Sequence, residues 1–187
     1  MSGTGNISRR HLLQGGAVLG LSIGMLVAAW AGRPHVAGFE PEPWFIESSG
    51  DLATDAAEAG ADGKYLALLW EQRGCHYCEE LHRVNFRDAD VIALGKKHFR
   101  TIQMDLWGKR EFLDSDGEKR TEAAIARGRF VRSTPVMLFV DAKGTEVFRM
   151  PGYAPPALNL AVYLYVAEGG FKTASLREWV KKNYPSN

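Results

Sequence analysis

Cysteine is scarce in this sequence: 187 residues contain two, Cys75 and Cys78. A scaffold stapled by disulfides needs more of them, spread so that they close loops. A pair two residues apart closes almost no loop and adds little by chain entropy, so its expected use is chemical. An excess of one charge is also lacking. The formal net charge is +1, with charged residues at 24 % and no basic stripe, which argues against a nucleic-acid partner. The hydrophobic share, 45 %, argues against a disordered chain and suffices for one core. Internal repeats and low-complexity runs are missing as well.

Acidic residues are absent from the first 31 positions. Ser8-Arg9-Arg10-His11-Leu12-Leu13-Gln14 opens this stretch, an apolar run follows over about 15–30, and Ala29-Trp30-Ala31 offers an A-x-A cleavage pattern. The pattern resembles a bacterial twin-arginine signal. The run is Gly-rich and falls short of the roughly 20 residues of a spanning helix. A signal peptide over 1–31 is the expectation, with an inner-membrane anchor over 15–30 as the alternative. Its removal would take two arginines and no acid, turning the net charge from +1 to −1. The expected place of work is the periplasm, where disulfides are in play.

Residues 32–50 are rich in Pro and Gly and read as a lead-in, with Trp44 and Phe45 as docking side chains. The domain is expected over 51–187. Helical composition is read at 51–61, 78–83, 88–97, 121–127, 157–168 and 176–182. Strands are read at 64–70, 99–105 and 135–140, with a return strand at 145–150 making a hairpin. The stretch 105–120 is polar, with a turn at Asp114-Ser115-Asp116-Gly117. Early strands separated by helices and a late hairpin predict a small mixed sheet flanked by helices, an α/β fold.

Cys75 follows a strand and a tight turn, and Cys78 falls inside a helix. Unpaired N–H groups and the dipole at a helix N-terminus favour an anion, so a thiol there ionises more easily. Cys75 is expected to be the exposed nucleophile and Cys78 the resolving thiol. His76 would add a switchable positive charge beside Cys75, while Tyr77 would shape the surface.

Trp70-Glu-Gln-Arg-Gly-Cys-His-Tyr-Cys78, then Ser133-Thr134-Pro135 before a strand, a hairpin and a last helix, resemble the thioredoxin superfamily. The resemblance implies a thioredoxin-like fold and a thiol–disulfide oxidoreductase. It also implies a cis-proline at Pro135 facing the cysteines, with Thr134 and Pro135 binding the substrate chain. Gly-Cys-x-Tyr-Cys-Glu, the polar insertion and Thr-Pro-Val-x-x-Phe-x-Asp-x-x-Gly are similar to the SoxW-type periplasmic thioredoxins of sulfur oxidation. That likeness, over about 64–184, implies reduction of disulfides in exported proteins. Electrons would come from a CcdA- or DsbD-like membrane thiol donor. No cofactor beyond the redox-active Cys75–Cys78 disulfide is expected, and the chain is expected to act as a monomer. Two positions depart from the family: Leu69 stands where a buried Asp is common, and Gly74 where Trp is common. Glu71 is then the candidate carboxylate for proton transfer to Cys78, the alternative being a solvated surface Glu.

Three readings compete. A DsbA-like dithiol oxidase shares the fold. A zinc-binding or interaction domain would use Cys75, Cys78 and His82, with His98 as a fourth ligand. An inert structural disulfide would bury Cys75. Covalent haem attachment is rejected, because Glu79 rather than His follows Cys78. The segment 107–120 is the place read for partner specificity, flanking the cysteines, with a merely solvated insertion as the alternative.

Overall fold

Residues Tyr65–Glu71 form β1, and all but Tyr65 are buried, as a strand covered on both faces requires. The computed structural model describes residues 35–184. The expectations of a signal or an anchor at 1–31 therefore lie outside the described residues. Among the described residues no helix is long and apolar enough to cross a membrane.

β1 pairs in parallel with β2 (Phe99–Asp105) and antiparallel with β5 (Val136–Val140). β6 (Glu146–Pro151) is antiparallel to β5, giving the order β2-β1-β5-β6. Alternation along β1 divides the core in two. Ala67 and Leu69 join Phe99, Phe139 and Tyr163 on one face, while Leu66, Leu68 and Trp70 join Ile102, Met104 and Leu138 on the other. Each large apolar side chain fully buried this way contributes about 1.5–3 kcal/mol.

Helices supply the outer layers. α1 (Leu52–Ala61) packs on the second face, its N-terminus capped by Asp51, whose Oδ1 accepts the N–H of Ala53 at 2.9 Å. α2 (His76–Arg83) and α3 (Ala89–His98, capped by Asp88) pack on the first face. α5 (Pro156–Ala167) and α6 (Leu176–Asn183, with a Ser175–Glu178 capping box) complete that side. α4 (Glu122–Gly128) lies on the other.

The stretch 105–120 is more ordered than its composition suggests. It folds into a hairpin of β3 (Glu111–Leu113) and β4 (Lys119–Thr121), anchored by buried Leu106 and Phe112.

The lead-in is packed down. Phe45 is buried in the first core, and the N–H of Ile46 donates to the carbonyl of Thr101 on edge strand β2 at 2.8 Å. Trp44 crosses Gly95 of α3 so closely that a Cβ there would stand 2.5 Å from its ring. Glycine is what lets the lead-in reach this helix.

Register fixes what meets at each end of the sheet. Trp70 pairs with Val136 and Glu71 with Asp105, so the cysteine loop, Pro135 and Leu106 gather at one end. Tyr65 pairs with Phe99 and Leu66 with Val140, so His98 and the β5–β6 turn lie at the other, roughly 20 Å away at about 3.3 Å per residue.

Candidate functional site

β1 delivers the chain to the site and Gln72-Arg73-Gly74 turns it into α2. Gly74 sits at φ 75°, a left-handed conformation that a Trp would strain to adopt, which accounts for glycine directly before Cys75. Cys75 is the N-cap of α2, and its Sγ accepts the N–H of Cys78 at 3.1 Å. The two cysteines are joined as a disulfide across a Cα–Cα distance of 5.2 Å. Cys75 keeps 7 % of its surface and Cys78 none. The exposed Cys75 of the sequence reading is thus corrected: it is buried but for a narrow opening. Only Cys75 can be approached from outside. The N–H at its sulfur, with the helix dipole behind it, would stabilise a thiolate once the bond opens.

Around this opening the side chains are aromatic. His76 and Tyr77 are exposed, and Tyr77 stacks on Tyr153 with ring centres 5.8 Å apart. Trp107, also exposed, donates from Nε1 to Gln72 Oε1 at 2.9 Å, so the start of the insertion does touch the cysteine loop. Its tip does not. Ser115 lies beside Gly144 of the β5–β6 turn, at the far end of the sheet. The Thr134–Pro135 peptide bond is cis. Pro135 is buried and its carbonyl accepts the N–H of Gly152 at 2.8 Å, while the half-buried Thr134 hydroxyl has no partner among the described residues.

Beneath the loop lies a buried run of charge that the sequence reading did not assemble. Glu71 is 0 % exposed, not a solvated carboxylate. His82 Nε2 contacts its Oε1 at 3.0 Å and Gln103 Nε2 donates to its Oε2. The other ring nitrogen of His82, Nδ1, contacts Oε1 of Glu42 from the lead-in at 2.8 Å, and Arg87 donates to Glu42 Oε2. Phe39 stacks on the imidazole at 5.2 Å, and Phe86 meets it edge-on at the same distance. Burial pushes the His82 pKa down, but the hydrogen bonds and charges of Glu42 and Glu71 outweigh it and raise it to about 9. At neutral pH the ring is an imidazolium donating from both nitrogens. For Glu42, burial pushes the pKa up, and the hydrogen bonds from His82 and Arg87 bring the carboxyl below its ordinary value.

These contacts correct the zinc alternative. Both ring nitrogens of His82 are engaged by carboxylates, His98 sits at the opposite end of the sheet, and the two sulfurs are bonded to each other. His82 is buried although α2 is polar in sequence. Its four-residue spacing from buried Cys78, which places both on one helix face, was the signal available. Glu42 had none.

A four-stranded mixed sheet with a Cys-x-x-Cys helix at one end defines a thioredoxin-fold protein. Residues 52–167 match the model of the thioredoxin-like domain, and the chain belongs to that family. Among solved structures it is similar to a thioredoxin-fold protein from Helicobacter pylori, at 24 % identity and a TM-score of 0.56, over 64 % of this chain and 81 % of that one. A thioredoxin from Thermus thermophilus matches at 22 % and 0.51, over 72 % and 94 % of the two chains. A putative disulphide-isomerase from Bacteroides thetaiotaomicron matches at 21 % and 0.52, over 70 % and 94 %. At these identities the likeness establishes the fold. No curated protein matches the chain by sequence. Together, a thioredoxin-like domain and a Cys-x-x-Cys pair support a thiol–disulfide oxidoreductase at a general level.

Proposed function

We propose that the protein reduces disulfides in exported proteins, in the manner of SoxW-type periplasmic thioredoxins. The observation that carries the exchange chemistry is the Cys75–Cys78 disulfide at the N-terminus of α2, with Cys75 alone retaining surface. In the reduced form the Cys75 thiolate attacks one sulfur of a partner disulfide and releases the other as a thiolate. Cys78 then attacks Cys75 Sγ, the bond to the partner breaks, and the partner leaves with both sulfurs reduced while the protein holds the new disulfide. Thr134 and Pro135, at the same end of the sheet, would seat the partner chain. His76 and Tyr77 lie between the cysteines and would tune the potential. The export pattern at 1–31 supports a periplasmic site of work, and the subfamily likeness supports sulfur oxidation as the setting, with a CcdA- or DsbD-like membrane thiol donor returning the electrons.

A DsbA-like oxidase would run the same bonds in reverse, and the potential separates the two. Equilibration with glutathione or dithiothreitol should give a value near −270 mV, about that of thioredoxin; one near −120 mV, about that of DsbA, would turn the assignment to oxidase. Cys78→Ala should trap partners as mixed disulfides through Cys75 in a periplasmic extract. Trapping none would sink the exchange reading itself.

A further inference from the structure

Glu42 lies outside the residues, 52–167, that match the thioredoxin-like domain, yet it completes the buried charge beneath the cysteine helix. Glu42 is 3 % exposed, His82 9 % and Glu71 0 %. The charged and titratable groups bonded to His82 are Glu42 from the lead-in and Glu71 from β1, with Arg87 behind Glu42. Its remaining surroundings are the rings of Phe39, Phe45 and Phe86. Cys78 and His82 are one turn apart on one face of α2, and His82 carries the bond to Glu71.

Cys78 is shut off from solvent, so the proton it loses when it attacks needs an acceptor inside the protein. His82 already carries its proton. Glu71, bonded to the same ring, is the remaining base. With a carboxylate at Nδ1 as well as at Nε2, the ring keeps its own proton and presents Nε2–H to Glu71 rather than surrendering that proton to it. Two carboxylates, one imidazolium and the Arg87 guanidinium leave the cluster without net charge.

We propose that the lead-in is a working part of the redox centre: Glu42, acting through His82, is a positioning residue that keeps Glu71 in place as the acceptor of the Cys78 proton. The inference rests on the exchange reading above. In the closing step the Cys78 proton passes to Glu71, the Cys78 sulfur bonds to Cys75 Sγ, and the Cys75–partner bond breaks. The partner leaves as a thiolate and takes up a proton from solvent. Two protein thiols become a disulfide as the partner disulfide becomes two thiols.

The test compares the full chain with Glu42→Gln, which keeps the shape and removes the charge. A thionitrobenzoate mixed disulfide is formed at Cys75, and release of the coloured thiolate reports closure by Cys78 across pH. Near neutral pH the variant should close about tenfold more slowly, a modest part of the 10²–10⁴ that acid–base catalysis supplies, and recover as the medium turns alkaline and Cys78 ionises unaided. Closure at the wild-type rate with the wild-type pH profile overturns the proposal, whatever happens to the melting temperature. Should Glu42→Gln fail to fold, the wild-type chain decides. The His82 titration midpoint, followed by NMR, should differ between oxidised and reduced protein, because coupling between the proton and the disulfide is reciprocal. Equal midpoints overturn the proposal. A wild-type mixed disulfide that never closes sinks the exchange reading instead.

Discussion

Two clusters of opposite charge, one at each end of the sheet, show how little the pairing of charges says until burial is known. At the cysteine end, Glu42, His82 and Glu71 are enclosed by aromatic rings and the sheet. At the other, Asp114, Asp116, Arg120 and Arg129 line an open cleft beside Gly144, with Arg129 Nη2 at 2.7 Å from Asp114 Oδ1. Both shift a pKa by a similar amount. His82 rises to about 9, and Asp116 falls to about 2 through the hydrogen bond from Arg120 and the N–H of Glu118. The first shift is won against burial, where no water can substitute for a lost partner. The second belongs to a side chain more than half exposed, where water competes for its bonds.

The largest effect should come from removing the imidazolium. His82→Leu keeps roughly the same volume and strands Glu71 with Gln103 alone. Breaking a buried pair from one side typically costs 3–5 kcal/mol, and a loss of about that size is expected in chemical denaturation at neutral pH. A loss well under about 1 kcal/mol would erase the contrast between the two clusters.

Next comes pH. His82 holds its proton more tightly folded than unfolded, so its contribution is whole below its ordinary 6.5 and is lost as pH rises toward 9. At about 1.4 kcal/mol for each pH unit, that fall is on the order of 3 kcal/mol, and it should vanish in His82→Leu. Glu42 has the opposite sign. Its contribution is present above its ordinary 4.5 and is lost as pH falls through its lowered folded value. Melting temperatures across pH should therefore plateau in the mildly acidic range. A stability that climbs from pH 6.5 to 9 would contradict the buried imidazolium.

How much of this was legible in the sequence follows the range of each contact. β2 is read with its observed bounds, 99–105, and the β5–β6 hairpin with ends shifted by a residue, because each is encoded by neighbours along the chain. The cysteine pair is local too: four residues hold the cap, the disulfide and the start of the helix. β3 and β4 are three residues each, too short for alternation to show. The buried cluster joins residues 40 and 11 positions apart, and no spacing within one element records that. Glu71 was reachable by a stricter argument. A strand covered on both faces leaves its last residue little chance of solvent, so a carboxylate there needs partners.

The smallest effect should come from the Asp116–Arg120 pair at the mouth of the cleft, and its smallness is the sharper half of the comparison. Asp116→Asn removes the carboxylate whose pKa falls to about 2, and Arg120→Gln removes its partner. Neither should move the melting temperature measurably at physiological salt, because both side chains exchange one another for water at almost no gain. The position of the hairpin tip carries the same expectation into function. Ser115 lies against the β5–β6 turn, a full strand length from Cys75, while Trp107 at the other end of the insertion is bonded to Gln72. Disulfide exchange with a protein substrate should therefore proceed at the wild-type rate in Asp116→Asn and Arg120→Gln. A slowed exchange with unchanged stability would mean that partners extend across the sheet to this cleft, and the tip would then hold the specificity that its composition suggests.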